Sequence, residues 1–166
     1  DILTRRSVSV VGLAKNVGKT ECLNYILRES ARMGVQVGVT SIGIDGESVD
    51  QVSGTEKPEI TLWPGTVFAT SDKHYHRKRM VAEVLAVADR RTALGKLIVA
   101  RALTEGKVLL SGTSDTESLR ELLDSMPGYG ARTTLVDGAL SRPSPASPTV
   151  TDAMVPGTGA AVSRSI

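Results

Sequence analysis

A chain of 166 residues, 40% of them hydrophobic, can bury one substantial core, and its length favours a single domain. A formal net charge of +2 lacks the strong basic character that nucleic-acid binders carry, so nucleic acid is set aside as a partner. Cys22 is the only cysteine, which excludes an intramolecular disulfide and fits a reducing, cytoplasmic setting; no apolar run approaches the ~18–20 residues that would span a bilayer. No secretory leader is readable, and Asp1 stands where a Met would begin a native chain. Together with the turn-like Val155-Pro156-Gly157-Thr158-Gly159-Ala160-Ala161 near the other end, this leads us to expect a truncated domain.

The first predicted element is a strand over Ser7–Gly12, where Val8, Val10 and Val11 suit a sheet covered on both faces. Helical spacing then places Leu23, Ile26, Leu27 and Ala31 on one face of a helix over about 18–33, with Gly34 where a C-cap glycine is expected. Cys22 falls in the first turn of that helix, where a thiol pKa can be lowered, although a small packing residue is the simpler reading.

Between strand and helix runs Gly12-Leu13-Ala14-Lys15-Asn16-Val17-Gly18-Lys19-Thr20, which reads as a phosphate-binding loop of Walker A type. Its backbone N–H groups must curl around phosphate oxygens, a path that Gly12 and Gly18 permit. Lys19 supplies a point charge for the outer phosphates, and the Thr20 hydroxyl can ligate Mg²⁺. The helix N-terminus adds partial positive charge worth roughly 0.3–1 kcal/mol per favourable anion contact. The candidate nucleotide contacts are Gly12, Lys15, Asn16, Val17, Gly18, Lys19 and Thr20, with ATP and Mg²⁺ as the ligands. The simpler alternative is a glycine-containing strand-to-helix turn, but a chance Gly-Lys-Thr at such a junction is uncommon.

Residues 35–43 alternate Val35, Val37 and Val39 and complete a βαβ unit, the start of a parallel sheet. Ligands of such sheets sit beyond the carboxyl ends of the strands, so Asp45 and Glu47 would face the nucleotide. Asp45 can hold Mg²⁺ through water or position a substrate, and a solvated loop carboxylate is the equal alternative. The polar stretch 45–58 is a candidate substrate loop or switch.

Over 60–102 the α/β alternation lapses. Pro64-Gly65 separates short strands at 60–62 and 67–70. Lys73, His74, His76, Arg77, Lys78 and Arg79 then form a basic cluster that reads as a solvated charge run, an anion or acidic-partner surface, or, least well, two imidazoles on one face of a strand holding a metal. Residues 81–87 and 97–102 fit two strands joined by a glycine-containing turn, an antiparallel insertion on the sheet edge; a helix over 79–90 is the rival, because Met80, Val84, Leu85 and Ala88 also match helical spacing.

After Gly106, Val108-Leu109-Leu110 is a buried-strand run ending in Ser111-Gly112. The signature Ser114-x-x-Glu117 predicts a capping box for a helix carrying Leu119, Leu122, Leu123 and Met126. The 111–115 turn is a secondary candidate for substrate contact. Thr133-Thr134-Leu135-Val136-Asp137-Gly138 is a buried strand ending in a carboxylate, where a magnesium-nucleotide protein needs one to hold the Thr hydroxyl or a metal-bound water. Asp137 is therefore paired with Lys19 as a candidate catalytic residue and with Thr20 and Asp45 as a candidate metal ligand; an ordinary Asp-Gly turn is the alternative. Residues 141–149, with Pro143, Pro145 and Pro148 among serines, read as a linker or lid, and 152–157 as a fifth parallel strand. The fold expected is α/β: one P-loop domain over 1–166, a mostly parallel sheet flanked by helices, with an antiparallel β insertion around 60–102.

The usual phosphate-loop pattern places four residues between its glycines; this chain has five, and Leu13 takes the place of the first consensus glycine. The longer loop resembles that of the dethiobiotin synthetase-like ligases and related amidotransferase synthetases, whose run reads Gly-Thr-Asp-Thr-x-Val-Gly-Lys-Thr. Gly12, Val17, Gly18, Lys19 and Thr20 match, while Leu13, Ala14 and Lys15 depart, so the acidic residue of that family's loop is Ala14 here. The strand–Asp137–Gly138 feature is loosely similar to that family's strand–Glu–Gly. Lys15-Asn16-Val17-Gly18-Lys19-Thr20 also resembles the Lys-Asn-x-Gly-Lys-Thr of small P-loop proteins that assist molybdenum-cofactor assembly. Val11-Gly12-Leu13-Ala14-Lys15-Asn16, Ser41-Ile42-Gly43-Ile44-Asp45-Gly46 and Leu135-Val136-Asp137-Gly138-Ala139-Leu140 together resemble the reactivase subunit that accompanies adenosylcobalamin-dependent lysine 5,6-aminomutase.

Three functional expectations follow. The ligase resemblance implies ATP-dependent activation of a small carboxylate. The reactivase resemblance implies an accessory ATPase whose partner is the aminomutase, with hydrolysis coupled to cofactor exchange; the 45–58 loop, the 73–79 cluster and the 141–149 segment would be the coupling surfaces, and a homodimer is compatible with such a role. A nucleotide-binding domain without turnover is the third. The sequence does not specify the base: no guanine-reading Asn-Lys-x-Asp is present, and ATP is the default nucleotide.

Overall fold

The computed structural model describes residues 2–12, 18–42, 58–92, 94–113, 115–138 and 151–157. Nine strands are described: β1 (Ser7–Gly12), β2 (Val37–Ser41), β3 (Ile60–Leu62), β4 (Val67–Ser71), β5 (Ala82–Thr92), β6 (Gly95–Ala102), β7 (Gly106–Val108), β8 (Thr133–Gly138) and β9 (Ala153–Gly157). The helices are α1 (Lys19–Arg32), α2 (Asp72–His76) and α3 (Thr116–Ser125), with 3₁₀ turns at Ile2–Thr4 and Met126–Tyr129.

Seven strands form one mixed sheet in the order β5-β6-β4-β2-β8-β1-β9. From β4 to β9 every neighbouring pair is parallel, whereas β6 runs antiparallel to β4 and β5 antiparallel to β6. The protein is thus an α/β fold with a mostly parallel sheet flanked by helices. Of the parallel strands, β1, β2, β4 and β8 are short runs buried on both faces because each face has its own cover, whereas the edge strand β9 leaves Met154 exposed. Val8, Val10, Val39, Phe68, Ile98 and Leu135 pack on one face with Leu23 and Leu27 of α1 and with Ile60 and Leu62. Their alternating neighbours Val67, Ala69, Leu97 and Val99 pack on the other with Leu122 of α3 and Met126 of the following turn, beside a smaller group of Leu119, Leu123 and Val136.

Helix α1 ends as its sequence dictates. Gly34 adopts a left-handed φ of +72°, its N–H donates to the Ala31 carbonyl and the Val35 N–H to that of Ser30, the two bonds of a Schellman cap.

The two strands expected over 81–87 and 97–102 are present as β5 and β6, an antiparallel hairpin at the sheet edge, and the rival helix over 79–90 is not formed. Other local expectations change. Within 60–102 the strands differ in role, since β4 lies parallel to β2 in the body of the sheet while β3 leaves it to pair with β7. The run 108–110 accordingly is no strand of the main sheet: Val108 closes β7, and the chain then crosses the strand ends without regular structure. At α3 the cap is Asp115, whose carboxylate accepts the Ser118 N–H at 2.7 Å, one position later than the expected box; Ser114 lies outside the described residues. No helix among the described residues is long and apolar enough to cross a membrane.

Candidate functional site

The carboxyl ends of β4, β2, β8, β1 and β9 share one edge of the sheet, and the chain leaves β1 at that edge to begin α1. Gly18 precedes α1 with φ +81°, and nothing lies within 4 Å of where its Cβ would be. The glycine is needed there for its left-handed backbone and not for space. As the N-cap of α1 it has no side chain with which to bond the first N–H groups of the helix.

Because β8 is the parallel neighbour of β1, with Val10 opposite Asp137 and Val11 opposite Gly138, the end of β8 comes beside the start of α1. Lys19 Nζ lies 2.7 Å from Asp137 Oδ1 and donates to the Gly138 carbonyl at 3.1 Å. Asp137 is 5% exposed, whereas Lys19 and Thr20 are half-buried. The other side of Asp137 is clamped by β2. Ser41 Oγ donates to the Asp137 carbonyl at 3.2 Å, and the Ile42 N–H donates to it at 3.0 Å. The backbone of Asp137 is therefore held on this side, and among the described residues the charge of its carboxylate is offset by the Lys19 ammonium group.

Sequence reasoning found Gly12, Gly18, Lys19, Thr20 and Asp137; in the structure Gly12 closes β1, Gly18 caps α1, and Lys19 meets Asp137. It missed Ser41 and the Gly138 carbonyl, although a hydroxyl closing a buried valine run was the available signal for Ser41. Lys15, Asn16, Val17 and Asp45, with the 45–57 and 141–149 stretches, lie outside the described residues.

Among the described residues no group of three or more His, Cys, Asp or Glu gathers to hold a metal. The donor set still fits Mg²⁺, which takes hard oxygen ligands and commonly only one or two carboxylates, the rest coming from phosphates and water. Thr20 and Asp137 would supply that share.

A second polar cluster sits at the end of β4. Ser111 Oγ donates to Ser71 Oγ at 2.6 Å, accepts the Ser71 N–H at 3.1 Å and lies 2.9 Å from His74 Nδ1, while Thr70 Oγ1 donates to the Leu109 carbonyl at 2.9 Å. A Ser–His contact can serve nucleophilic catalysis. Here His74 is 1% and Ser111 4% exposed, so no substrate reaches them and the cluster serves to pin the 109–113 crossing onto β4.

The basic cluster is divided by α2. Because 73–76 is helical, His74 is buried and His76 exposed, and the two rings do not share a face. His76 Nε2 lies 2.9 Å from Asp72, Lys78 Nζ sits 4.0 Å from the centre of the Tyr75 ring, and Arg79 pairs with Glu59 at 3.1 Å. These contacts tie three of the cluster's side chains to neighbours.

Set against protein-family models, curated proteins and solved structures, the chain finds no match in any of the three.

Proposed function

We propose that the chain is a P-loop protein that binds ATP with Mg²⁺ and hydrolyses it as an accessory factor to a larger enzyme. The observation that carries this reading is the 2.7 Å pair between Lys19 and Asp137, which joins a helix-start lysine following a left-handed glycine to the carboxylate at the end of the neighbouring parallel strand. Those are the two charges needed to hold a triphosphate and its cation at a helix N-terminus. Bound Mg²⁺ would draw charge from the outer phosphate oxygens and stabilise the charge that develops in phosphoryl transfer. The chain's own part is positional: Lys19 orients the outer phosphates, Thr20 and Asp137 present oxygen to the metal, and Ser41 keeps Asp137 in place.

The partner implied by the sequence resemblance is an adenosylcobalamin-dependent aminomutase, with the nucleotide cycle driving cofactor exchange. The ligase reading has one specific support, the five-residue spacing of the loop with Val17 in its matching place. Equilibrium binding of Mg·ATP to the wild type and to Lys19→Ala tests the common premise; the variant should lose binding while keeping its circular dichroism spectrum, and wild-type affinity in it would sink the proposal. Phosphate release then separates the readings. Stimulation by the aminomutase supports the accessory factor, and turnover that requires a small carboxylate supports the ligase.

A further inference from the structure

Resting on the nucleotide reading, we infer that Asp137 makes this site selective for metal-complexed polyphosphate and rejects the metal-free form, by retaining Lys19 until a divalent cation replaces it. The side chain that would greet the outer phosphates is already engaged twice, by Asp137 Oδ1 at 2.7 Å and by the Gly138 carbonyl at 3.1 Å. Asp137 is 5% exposed, and its main chain is held in the sheet by Ser41 and Ile42, which both bond its carbonyl. A polyphosphate without metal must therefore pull Lys19 away and leave a buried carboxylate uncompensated beside its own negative charge. A metal complex escapes both costs, because its divalent cation gives Asp137 a new counter-charge at the moment Lys19 transfers to phosphate. The ion pair then acts as an exchange device, and Asp137 is a specificity-determining residue as well as a metal ligand. Asn at this position keeps the shape, holds Lys19 far less firmly, and carries no charge to repel free polyphosphate.

The test is isothermal calorimetry on the full chain with Mg·ATP, with ATP in excess chelator and with inorganic pyrophosphate in chelator. The wild type should bind Mg·ATP and bind the two metal-free ligands at least about tenfold more weakly. Asp137→Asn should bind both metal-free ligands at least about tenfold more tightly than the wild type does, while its gain from adding Mg²⁺ shrinks. Metal-free binding by Asp137→Asn equal to or weaker than that of the wild type overturns the inference and leaves nucleotide binding standing, whereas a wild type that binds none of the three ligands removes the nucleotide reading itself. If Asp137→Asn does not fold, Asp137→Ser replaces it, and failure of both to fold overturns the inference by making Asp137 a structural residue.

Discussion

Gly112 lies against the main chain of Ser41 so closely that a Cβ added to it would overlap the Ser41 carbonyl oxygen. The obstacle is backbone in the centre of the sheet edge and cannot rotate away. Ser41 in turn holds the carbonyl of Asp137, so displacement at Gly112 would reach the carboxylate that pairs with Lys19. Gly112→Ala should destabilise the fold by about 3 kcal/mol in urea unfolding, as overpacking into an unyielding neighbour does. Gly34→Ala is the control. Nothing lies within 4 Å of that position, and its φ of +72° alone should cost about 1–2 kcal/mol. Equal costs for the two substitutions would show that the Ser41 contact is not tight in solution.

Ser111→Ala should be costly without touching nucleotide binding. The hydroxyl it removes accepts the Ser71 N–H, contacts His74 Nδ1 and donates to Ser71 Oγ, all in a region closed to water. Deleting it leaves buried groups short of a partner, for about 2–3 kcal/mol. Thermal unfolding checks the stability. An unchanged Kd for Mg·ATP, measured well below the midpoint, checks that the cluster is structural; a large loss of affinity at full stability would return Ser111 to the site.

The sequence made β1, α1 and β8 readable because each carries its own signal: a valine run in β1, a short β-branched and apolar run in β8, and in α1 a 3.6-residue apolar spacing between glycines at 18 and 34 whose positive φ the structure displays. Spatial order was not readable. Nothing in residues 133–138 says that this strand lies between β1 and β2, and that placement is what brings Asp137 to Lys19. Residues 79–90 were ambiguous because Met80, Val84, Leu85 and Ala88 satisfy helical spacing while the partner strand β6 supplies the deciding contacts. His74 was hidden for a similar reason. A histidine among cations reads as solvated, yet one turn of helix rotates it beneath the chain and onto Ser111.

The cap of α3 gives a prediction on which Ser114 and Asp115 differ. Asp115 holds the Ser118 N–H at 2.7 Å, so Asp115→Ala should lower stability by about 1 kcal/mol, the usual loss on removing an N-cap carboxylate. A capping box led by Ser114 would instead place that cost on Ser114→Ala. Chemical denaturation of the two variants side by side decides between the caps.

Thr20 separates cation binding from phosphate binding. It follows Lys19, which pairs with Asp137, in the first turn of α1 and is half-buried. Val preserves the β-branched shape and similar helix propensity, so Thr20→Val should shift stability by no more than about 0.5 kcal/mol. Its loss is a single oxygen ligand to Mg²⁺. Affinity for Mg·ATP should fall at least about tenfold, equivalent to about 1.4 kcal/mol. Binding of metal-free ATP, weak in both proteins, should not change, because Lys19 and the helix N-terminus are untouched. Thr20→Ser, which restores the hydroxyl, should recover most of the Mg²⁺-dependent gain. A Thr20→Val protein whose response to Mg²⁺ matches the wild type would leave the cation to Asp137 and the phosphates alone.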